Sequence, residues 1–282
     1  MQNSREAAFD FGDPIGCAVV ASDDASRPDI EEYLSSCGAA WTWISIRPGR
    51  LVASAAVADE LTARGLVASL RAANYSAVLG PADEAHNVGW SNRNRPTKIT
   101  DEVSVCFPWA FCDAEIIIEI DPGSGFGAGD HPSTHLLLEA LTHRLVVGEE
   151  VLDVGCGSGV LTVAAACLGA SNAVGIDINR AGLISAGLNA AMNGVSDRTS
   201  FLSVPLLEVP GNFDVVLANI HDYTLRSMAN NLTDKLKTGG WIGLSGISSA
   251  QVSRVKACFP KVKFERPINR DEWVGLVGKV IS

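Results

Sequence analysis

The sequence predicts an α/β protein in which a smaller α+β domain precedes a doubly wound, largely parallel sheet. From Glu149 onward, short apolar strands alternate with helical segments, and this alternation is typical of a parallel sheet covered by helices on both faces. The first part of the chain follows a different element order, and a stretch rich in Pro, Asn and Gly separates the two patterns. The length of 282 residues accommodates two domains.

The first pattern predicts a small domain over residues 1–81. It contains, in order, a strand GCAVVAS, a helix RPDIEEYLSSCGA, a strand WTWISI, a strand LVASAA, a helix ADELTARGLVASLRAA and a strand SAVLG. This βαββαβ order is that of a ferredoxin-like domain. The segment 51–57 could also belong to the helix that follows it. Residues 82–99 show little apolar periodicity and are predicted to be a linker.

The second domain is predicted over residues 100–282. Two strands, DEVSVCFPW and AEIIIEI, come before the regular alternation. The strands that follow are EVLDVG, NAVGIDI, FDVVLANI and WIGLSGI, with a final pair formed by KVKFERP and EWVGLVGKV. Helices are predicted between them, one of them over residues 222–237. Sheets of this kind bind ligands at the carboxyl ends of their strands.

The overall charge and hydropathy exclude several classes of partner. The net charge is −10, which disfavours direct binding to nucleic acid and is compatible with a cationic substrate or with solubility alone. No apolar run reaches the roughly 18 residues of a membrane span. The N-terminal residues lack the basic and apolar segments of a secretory signal. A cytoplasmic protein without a membrane partner is expected.

The seven cysteines are scattered and form no C-x-x-C pair, which favours free thiols in a reducing compartment. No Cys/His cluster has the spacing of a zinc site. His131 and His135 are four positions apart, but Pro132 stands where a metalloprotease helix needs Glu. No metal is therefore expected.

A glycine-rich turn, DVGCGSG (153–159), lies between a predicted strand and a predicted helix. Its glycines let the backbone approach a ligand, and the helix start offers free N–H groups. Asp177 ends the next strand, at the spacing of about 20 residues where a carboxylate can bind both ribose hydroxyls of a nucleoside. Because Val160 replaces the third glycine of the NAD fingerprint, the turn favours S-adenosylmethionine (SAM). Asp153 would hold the methionine ammonium group or position the turn.

A second glycine-rich stretch, DPGSGFGAGDHPSTH (121–135), precedes this turn. It lacks the Gly-Lys-Ser/Thr of a phosphate-binding loop. One nucleoside site needs only one glycine-rich turn, so a different explanation is required for this stretch.

Several segments together resemble the family of bacterial ribosomal protein L11 methyltransferases, which includes mitochondrial protein-lysine methyltransferases. In the family's order and spacing they are DPGSGFGAGDHPST, VLDVGCGSGVLTVAAACLGA, VGIDI, DVVLANI, LSGI and the pair EW. The resemblance covers about residues 100–280. It implies a seven-stranded, Rossmann-like class I methyltransferase sheet with SAM as the cofactor.

The resemblance also accounts for the two glycine-rich turns. In the family the first turn lies over the methyl donor and the second is the donor site proper, so both would enclose one ligand. The implied donor-binding residues are Phe126, Gly127, Thr134, Asp153, Gly155, Gly157, Asp177, Ile178 and Asn219. Thr134 could also act only as a helix-start residue.

Methyl transfer to nitrogen requires alignment and an unprotonated amine. A lysine amine has an ordinary pKa of about 10.4, so burial or a nearby acceptor must promote loss of its proton. Asn219 and the backbone carbonyl of Ile220 would accept N–H bonds and orient the lone pair, and these two are the predicted catalytic residues. Asn219 could alternatively be only a turn residue at a strand end.

The sequence departs from the family at two places that should face the acceptor. The family's loop usually reads FGTGTH, whereas FGAGDH here introduces Asp130 before His131. After the Asn-Ile pair come His221, Asp222 and Tyr223. We predict that these five residues contact the substrate, and the added carboxylates suit a compact cation. Asp222 could instead cap the next helix, with His221 at the rim.

Two acceptors remain open at this point. The first is a basic ribosomal protein, methylated on lysine side chains or an N-terminal amine. The second is a small cationic molecule, such as a free basic amino acid or a guanidino compound like arginine. Val160 disfavours a nicotinamide-dependent oxidoreductase, and the intact Gly155, Asp177 and Asn219 disfavour a binding module without catalysis.

Overall fold

The computed structural model describes residues 15–21, 27–37, 41–47, 50–57, 60–72, 76–81, 96–107, 112–121, 127 and 129–281. The chain divides into two compact units, residues 1–84 and 85–282. Most of the predicted linker lies outside the described residues, so the domain limits stay a prediction. Among the described residues, no helix combines the length and the apolar character that a membrane crossing requires.

The first unit contains four strands and two helices in the predicted order. They are β1 (Ile15–Ala21), α1 (Arg27–Ser36), β2 (Trp41–Arg47), β3 (Arg50–Val57), α2 (Glu60–Ala72) and β4 (Ser76–Pro81). The strands pair antiparallel in the order β2-β3-β1-β4, as in a ferredoxin-like domain. Segment 51–57 is therefore a strand. One face of α2 is buried through Ala63, Leu66 and Leu70, which recur at helical spacing.

The second unit begins with a small sheet and continues with the predicted alternation. Its strands are β5 (Thr97–Lys98), β6 (Val103–Cys106), β7 (Ile116–Glu119), β8 (Glu150–Val154), β9 (Asn172–Ile176), β10 (Thr199–Leu202), β11 (Phe213–Asn219), β12 (Leu236–Ser248), β13 (Val262–Phe264), β14 (Ile268–Arg270) and β15 (Trp273–Val280). Its helices are α3 (Pro132–Arg144), α4 (Val160–Cys167), α5 (Arg180–Met192), α6 (Asp222–Asp234) and α7 (Val252–Ala257).

The central sheet has the strand order β10-β9-β8-β11-β12-β15-β13, and β14 pairs with β15 beside this path. The strands from β10 to β12 are parallel, whereas β15 runs antiparallel to β12 and β13. The path has the predicted seven strands, and β14 adds a short eighth. The doubly wound prediction is therefore confirmed.

Apolar side chains cover the sheet on both faces, which leaves its central strands fully buried. One cluster packs residues of α3, α4 and α5 on the sheet, including Leu137, Val163 and Ala190. The other packs α6 and α7, including Leu225, Leu232 and Val255. Burial on both faces explains why the strands read as continuous apolar runs.

The small sheet β5-β6-β7 leads into the first glycine-rich stretch. Two asparagines of the α5 region bind its backbone. Asn193 accepts a bond from the N–H of Glu119 at 2.9 Å and donates one to its carbonyl at 2.7 Å. Asn189 makes the same pair of bonds with Asp121, at 2.9 and 2.8 Å. The chain is thus held where it enters the stretch.

Two expectations were wrong. The helix predicted over 222–237 ends at Asp234, because Asn212 and the N–H of Phe213 bind the carbonyls of Asp234 and Lys235. The structure also joins Cys106 and Cys112 in a disulfide, whereas free thiols were expected; among the other described cysteines, Cys37, Cys156, Cys167 and Cys258 form no disulfide, as expected.

Candidate active site

A cavity of about 570 Å³ lies at the carboxyl ends of the parallel strands. This is the position at which doubly wound sheets bind ligands, and the volume suits a molecule the size of a nucleoside conjugate. The predicted site residues that line it are His131, Gly155, Gly157, Asp177, Ile178, Asn219, Ile220 and His221.

The donor turn DVGCGSG follows β8 and adopts a conformation that requires its glycines. Gly155, Gly157 and Gly159 all have positive φ, at 77°, 53° and 78°, a region that side-chain-bearing residues rarely occupy. A Cβ on Gly155 would collide with the Cγ2 atom of Ile220. The turn therefore lies directly against the strand end that carries Asn219.

Asp177 supports the donor turn as well as facing the cavity. One carboxylate oxygen accepts the N–H of Gly157 at 2.8 Å, and the other accepts the N–H of Asn179 at 2.8 Å. Each oxygen keeps a second acceptor position. Two ribose hydroxyls can use these positions while the carboxylate holds the turn in place.

Ile178 follows Asp177 and is 98% exposed, although it lines the cavity. An apolar side chain this exposed beside a cavity suits the flat face of a ligand ring. Val204, Pro205 and Leu206 form an apolar wall nearby. The sequence offered no motif for this wall, and only its position after the short strand β10 could have indicated it.

Asp153 lies beneath the donor turn and is not among the residues that line the cavity. It is fully buried, and its Oδ2 atom accepts a bond from the hydroxyl of Thr162 at 2.8 Å. Burial raises the pKa of this carboxyl to about 7. Of its two predicted roles, this placement favours positioning the turn.

Asn219 is anchored by Thr134. The Asn219 side chain donates from Nδ2 to the Thr134 hydroxyl at 3.0 Å. Thr134 is only 1% exposed and lies behind Asn219, not at the cavity wall. With its N–H₂ group held in this way, the Asn219 carbonyl oxygen is left to accept bonds from a ligand.

Ile220 has its backbone packed against Gly246. A Cβ on Gly246 would lie 2.6 Å from the Ile220 carbonyl oxygen, and Gly246 has a φ of 81°. Only glycine fits there, so the close contact fixes where the carbonyl of Ile220 lies.

An aromatic pair closes one side of the cavity. His131 is the N-cap of α3, and its Nδ1 atom accepts the N–H of Ser133 at 3.3 Å. Its ring meets the Trp273 ring edge-on, with 4.9 Å between centroids. Trp273 begins β15, and the sequence indicated it only as part of a family motif.

The remaining predicted substrate residues do not line the cavity. The Asp222 carboxylate forms ion pairs with Arg254 at 2.8 Å and with Arg226 at 3.4 Å. Because Arg254 lies on α7, the first of these pairs connects α6 to α7. Tyr223 is 74% exposed and lies beside Arg226. Asp130 is exposed outside the cavity. Asp222 is the first residue of α6 but not its cap, because His221 occupies the N-cap position.

Three further predicted or neighbouring residues complete the description. Gly127 of the first glycine-rich stretch accepts a hydrogen bond through its carbonyl from the Ser158 hydroxyl. Phe126 lies outside the described residues. Burial raises the pKa of the Cys156 thiol far above its ordinary value, so this residue of the donor turn is a packing residue and not a nucleophile.

Comparisons with known proteins identify the family of this chain. The sequence model of the family described as "Ribosomal protein L11 methyltransferase (PrmA)" matches residues 6–280. The chain belongs to this family. A ribosomal protein L11 methyltransferase from Haemophilus ducreyi is 32% identical over 279 residues, which are 97% of this chain and 94% of the relative.

Two more members of the family match parts of the chain. A relative from Geobacter metallireducens is 44% identical over 168 residues, 58% of this chain, and the match spans only about half (55%) of that relative. The crystal structure of a ribosomal protein L11 methylase from Lactobacillus delbrueckii subsp. bulgaricus has a TM-score of 0.61 and 26% identity, covering 66% of this chain and 97% of that one. Membership of this family confirms the predicted fold and the predicted class of enzyme, a methyltransferase.

Proposed function

We propose that the protein methylates amino nitrogens of ribosomal protein L11, on lysine side chains or the N-terminal amine, and that it acts in the cytoplasm. The observation that carries this proposal is the pair of fixed acceptors at one end of the cavity. Asn219 is held by Thr134, and the Ile220 carbonyl is held by Gly246. The names of the relatives supply the acceptor protein.

The described residues fit SAM. The Asp177 carboxylate can bind a diol, Ile178 offers an exposed apolar surface, and the donor turn lets its backbone come close. When bound, SAM supplies an electrophilic methyl group. The protein's contribution is to orient both reactants and to lower the cost of an unprotonated amine.

The chain's own acceptors would perform the second task. The amine would donate two hydrogen bonds, one to the carbonyl oxygen of Asn219 and one to that of Ile220. The lone pair on the amine nitrogen would then point away from these oxygens, toward the donor end of the cavity. A neutral amine satisfies two such acceptors and keeps the lone pair free. SAM held by Asp177 and the donor turn would supply the methyl carbon to this lone pair, and the proton left over on the methylated nitrogen would pass to solvent.

The alternative of a small cationic acceptor receives no support from the cavity. It rested on a shortened N-terminal domain and on the added carboxylates of Asp130 and Asp222, and neither of these carboxylates lines the cavity. Asp222 is already paired with Arg254 and Arg226. Among the described residues, the carboxylate that faces the cavity is Asp177, which is assigned to the donor.

The test is a methylation assay with radiolabelled SAM, with L11 in one reaction and free lysine and arginine in another. We expect label in L11 only. The variant Asp177→Ala should lose at least ten-fold in kcat/KM, because it removes both ribose contacts and the support of the donor turn. Asp197→Ala, on a side chain that is 79% exposed, is the matched control and should keep full activity. Label in free amino acids and not in L11 would overturn the proposal.

A further inference from the structure

The side chain of Asn189 joins the two glycine-rich turns. It lies on α5, is 0% exposed, and its side-chain amide makes three hydrogen bonds. Its Oδ1 atom accepts the N–H of Asp121 at 2.9 Å, and its Nδ2 atom donates to the Asp121 carbonyl at 2.8 Å. The second Nδ2 hydrogen goes to the carbonyl of Ser158, also at 2.8 Å. Asp121 begins the first turn, and Ser158 belongs to the donor turn.

Ser158 closes the connection from the other side. It is 0% exposed, and its hydroxyl donates to the Gly127 carbonyl. The first turn is therefore held at Asp121 and at Gly127, and both bonds lead to the pair Asn189–Ser158. Gly157, next to Ser158, lines the cavity and is bound to Asp177.

The neighbouring Asn193 makes structural hydrogen bonds only and serves as a comparison for Asn189. Its side chain binds the backbone of Glu119 and donates to the Asn189 carbonyl at 2.7 Å. These bonds fix β7 and the end of α5, and none of them goes to the donor turn. Asn189 and Asn193 thus make similar hydrogen bonds to the backbone at the end of β7 and just after it, but only Asn189 of the two also bonds to Ser158.

We propose that Asn189 is a positioning residue for the methyl donor: it holds the first glycine-rich turn against the donor turn and thereby sets the affinity for SAM. Without its amide, the carbonyl of Ser158 loses this bond in a fully buried place, where an unpaired group is costly, and the part-buried backbone of Asp121 loses both of its bonds to α5. The donor turn is then no longer held in the conformation in which Gly157 lines the cavity and bonds to Asp177. This inference rests on the proposed use of SAM.

The experiment measures the Kd for SAM by calorimetry in wild type, Asn189→Ala, Asn193→Ala and Ser158→Ala. We expect Asn189→Ala to raise the Kd at least ten-fold, with kcat at saturating SAM changed less than three-fold. Asn193→Ala, which removes a comparable set of backbone bonds, should lower the melting temperature similarly and change the Kd less than three-fold. Ser158→Ala should raise the Kd without unfolding the protein, and its effect should not add to that of Asn189→Ala.

Equal increases in Kd for Asn189→Ala and Asn193→Ala would overturn the inference, as would an unchanged Kd in Asn189→Ala. If Asn189→Ala does not fold, Ser158→Ala decides: an unchanged Kd overturns the inference and a raised one supports it. A wild-type protein that binds no SAM would instead refute the proposed function, so the two failures are distinguishable.

Discussion

The replacement Thr134→Val tests whether the anchoring of Asn219 matters for catalysis. Val has the shape of Thr but cannot accept the bond that Asn219 donates at 3.0 Å. Thr134 is 1% exposed, so solvent has little access to replace the lost partner. An unpaired buried donor costs about 1–3 kcal/mol. Because Asn219 is itself only part-buried, we expect about 1–2 kcal/mol, a loss of roughly 5- to 30-fold in kcat/KM.

The assay is steady-state methylation of L11 at varied SAM concentration, with the Kd for SAM measured separately. The loss should appear mainly in kcat, since Asn219 is proposed to orient the amine. Thr134→Ser keeps the hydroxyl and should recover most of the activity. Thr233→Val is the matched control, because Thr233 is buried in α6 and bonds only within its helix to Ala229. If Thr134→Ser loses as much as Thr134→Val, packing and not the hydrogen bond is responsible, and the reasoning fails.

Two further variants probe the donor turn. Gly155→Ala places a methyl group against Ile220 at a φ of 77°, so we expect a Kd for SAM at least ten-fold higher. Gly187→Ala is the control, because it changes an open position of α5 and should leave the Kd unchanged. Similar Kd values for the two variants would contradict the close packing at Gly155. Burial raises the pKa of Asp153 to about 7 from an unfolded value of about 3.9, so the native state favours the protonated form and loses stability as pH rises from about 4 through 7. Urea unfolding should show the wild type weakening relative to Asp153→Asn over this range, and a difference that stays constant with pH would argue against the raised pKa.

The sequence predicted the elements that depend on local pattern. The strand–helix alternation, the donor turn and Asp177 could all be recognised, because glycines with positive φ and a carboxylate at a strand end leave a signal in a short window. The ferredoxin-like order of the first unit was visible for the same reason.

Features that depend on distant pairing could not be predicted. The sequence could not show that the Asp222 carboxylate pairs with Arg254, because that partner lies on another helix. The bonds from Asn189 to Asp121 join residues 68 positions apart. Thr134 was predicted to touch the donor, but a helix start alone cannot show that its hydroxyl faces Asn219.

The position of β15 has a consequence for how the protein is made. This strand is late in the chain, yet it lies between β12 and β13 and pairs with β14 as well. A growing polypeptide therefore presents β12 as an open, apolar edge until residues 273–280 have been synthesised, and such edges invite pairing with other chains. Trp273 belongs to the same strand, so this part of the cavity wall is synthesised together with the strand that covers β12. Nascent chains truncated before that point would keep β12 unpaired on this side and would lack the Trp273 ring of the cavity wall.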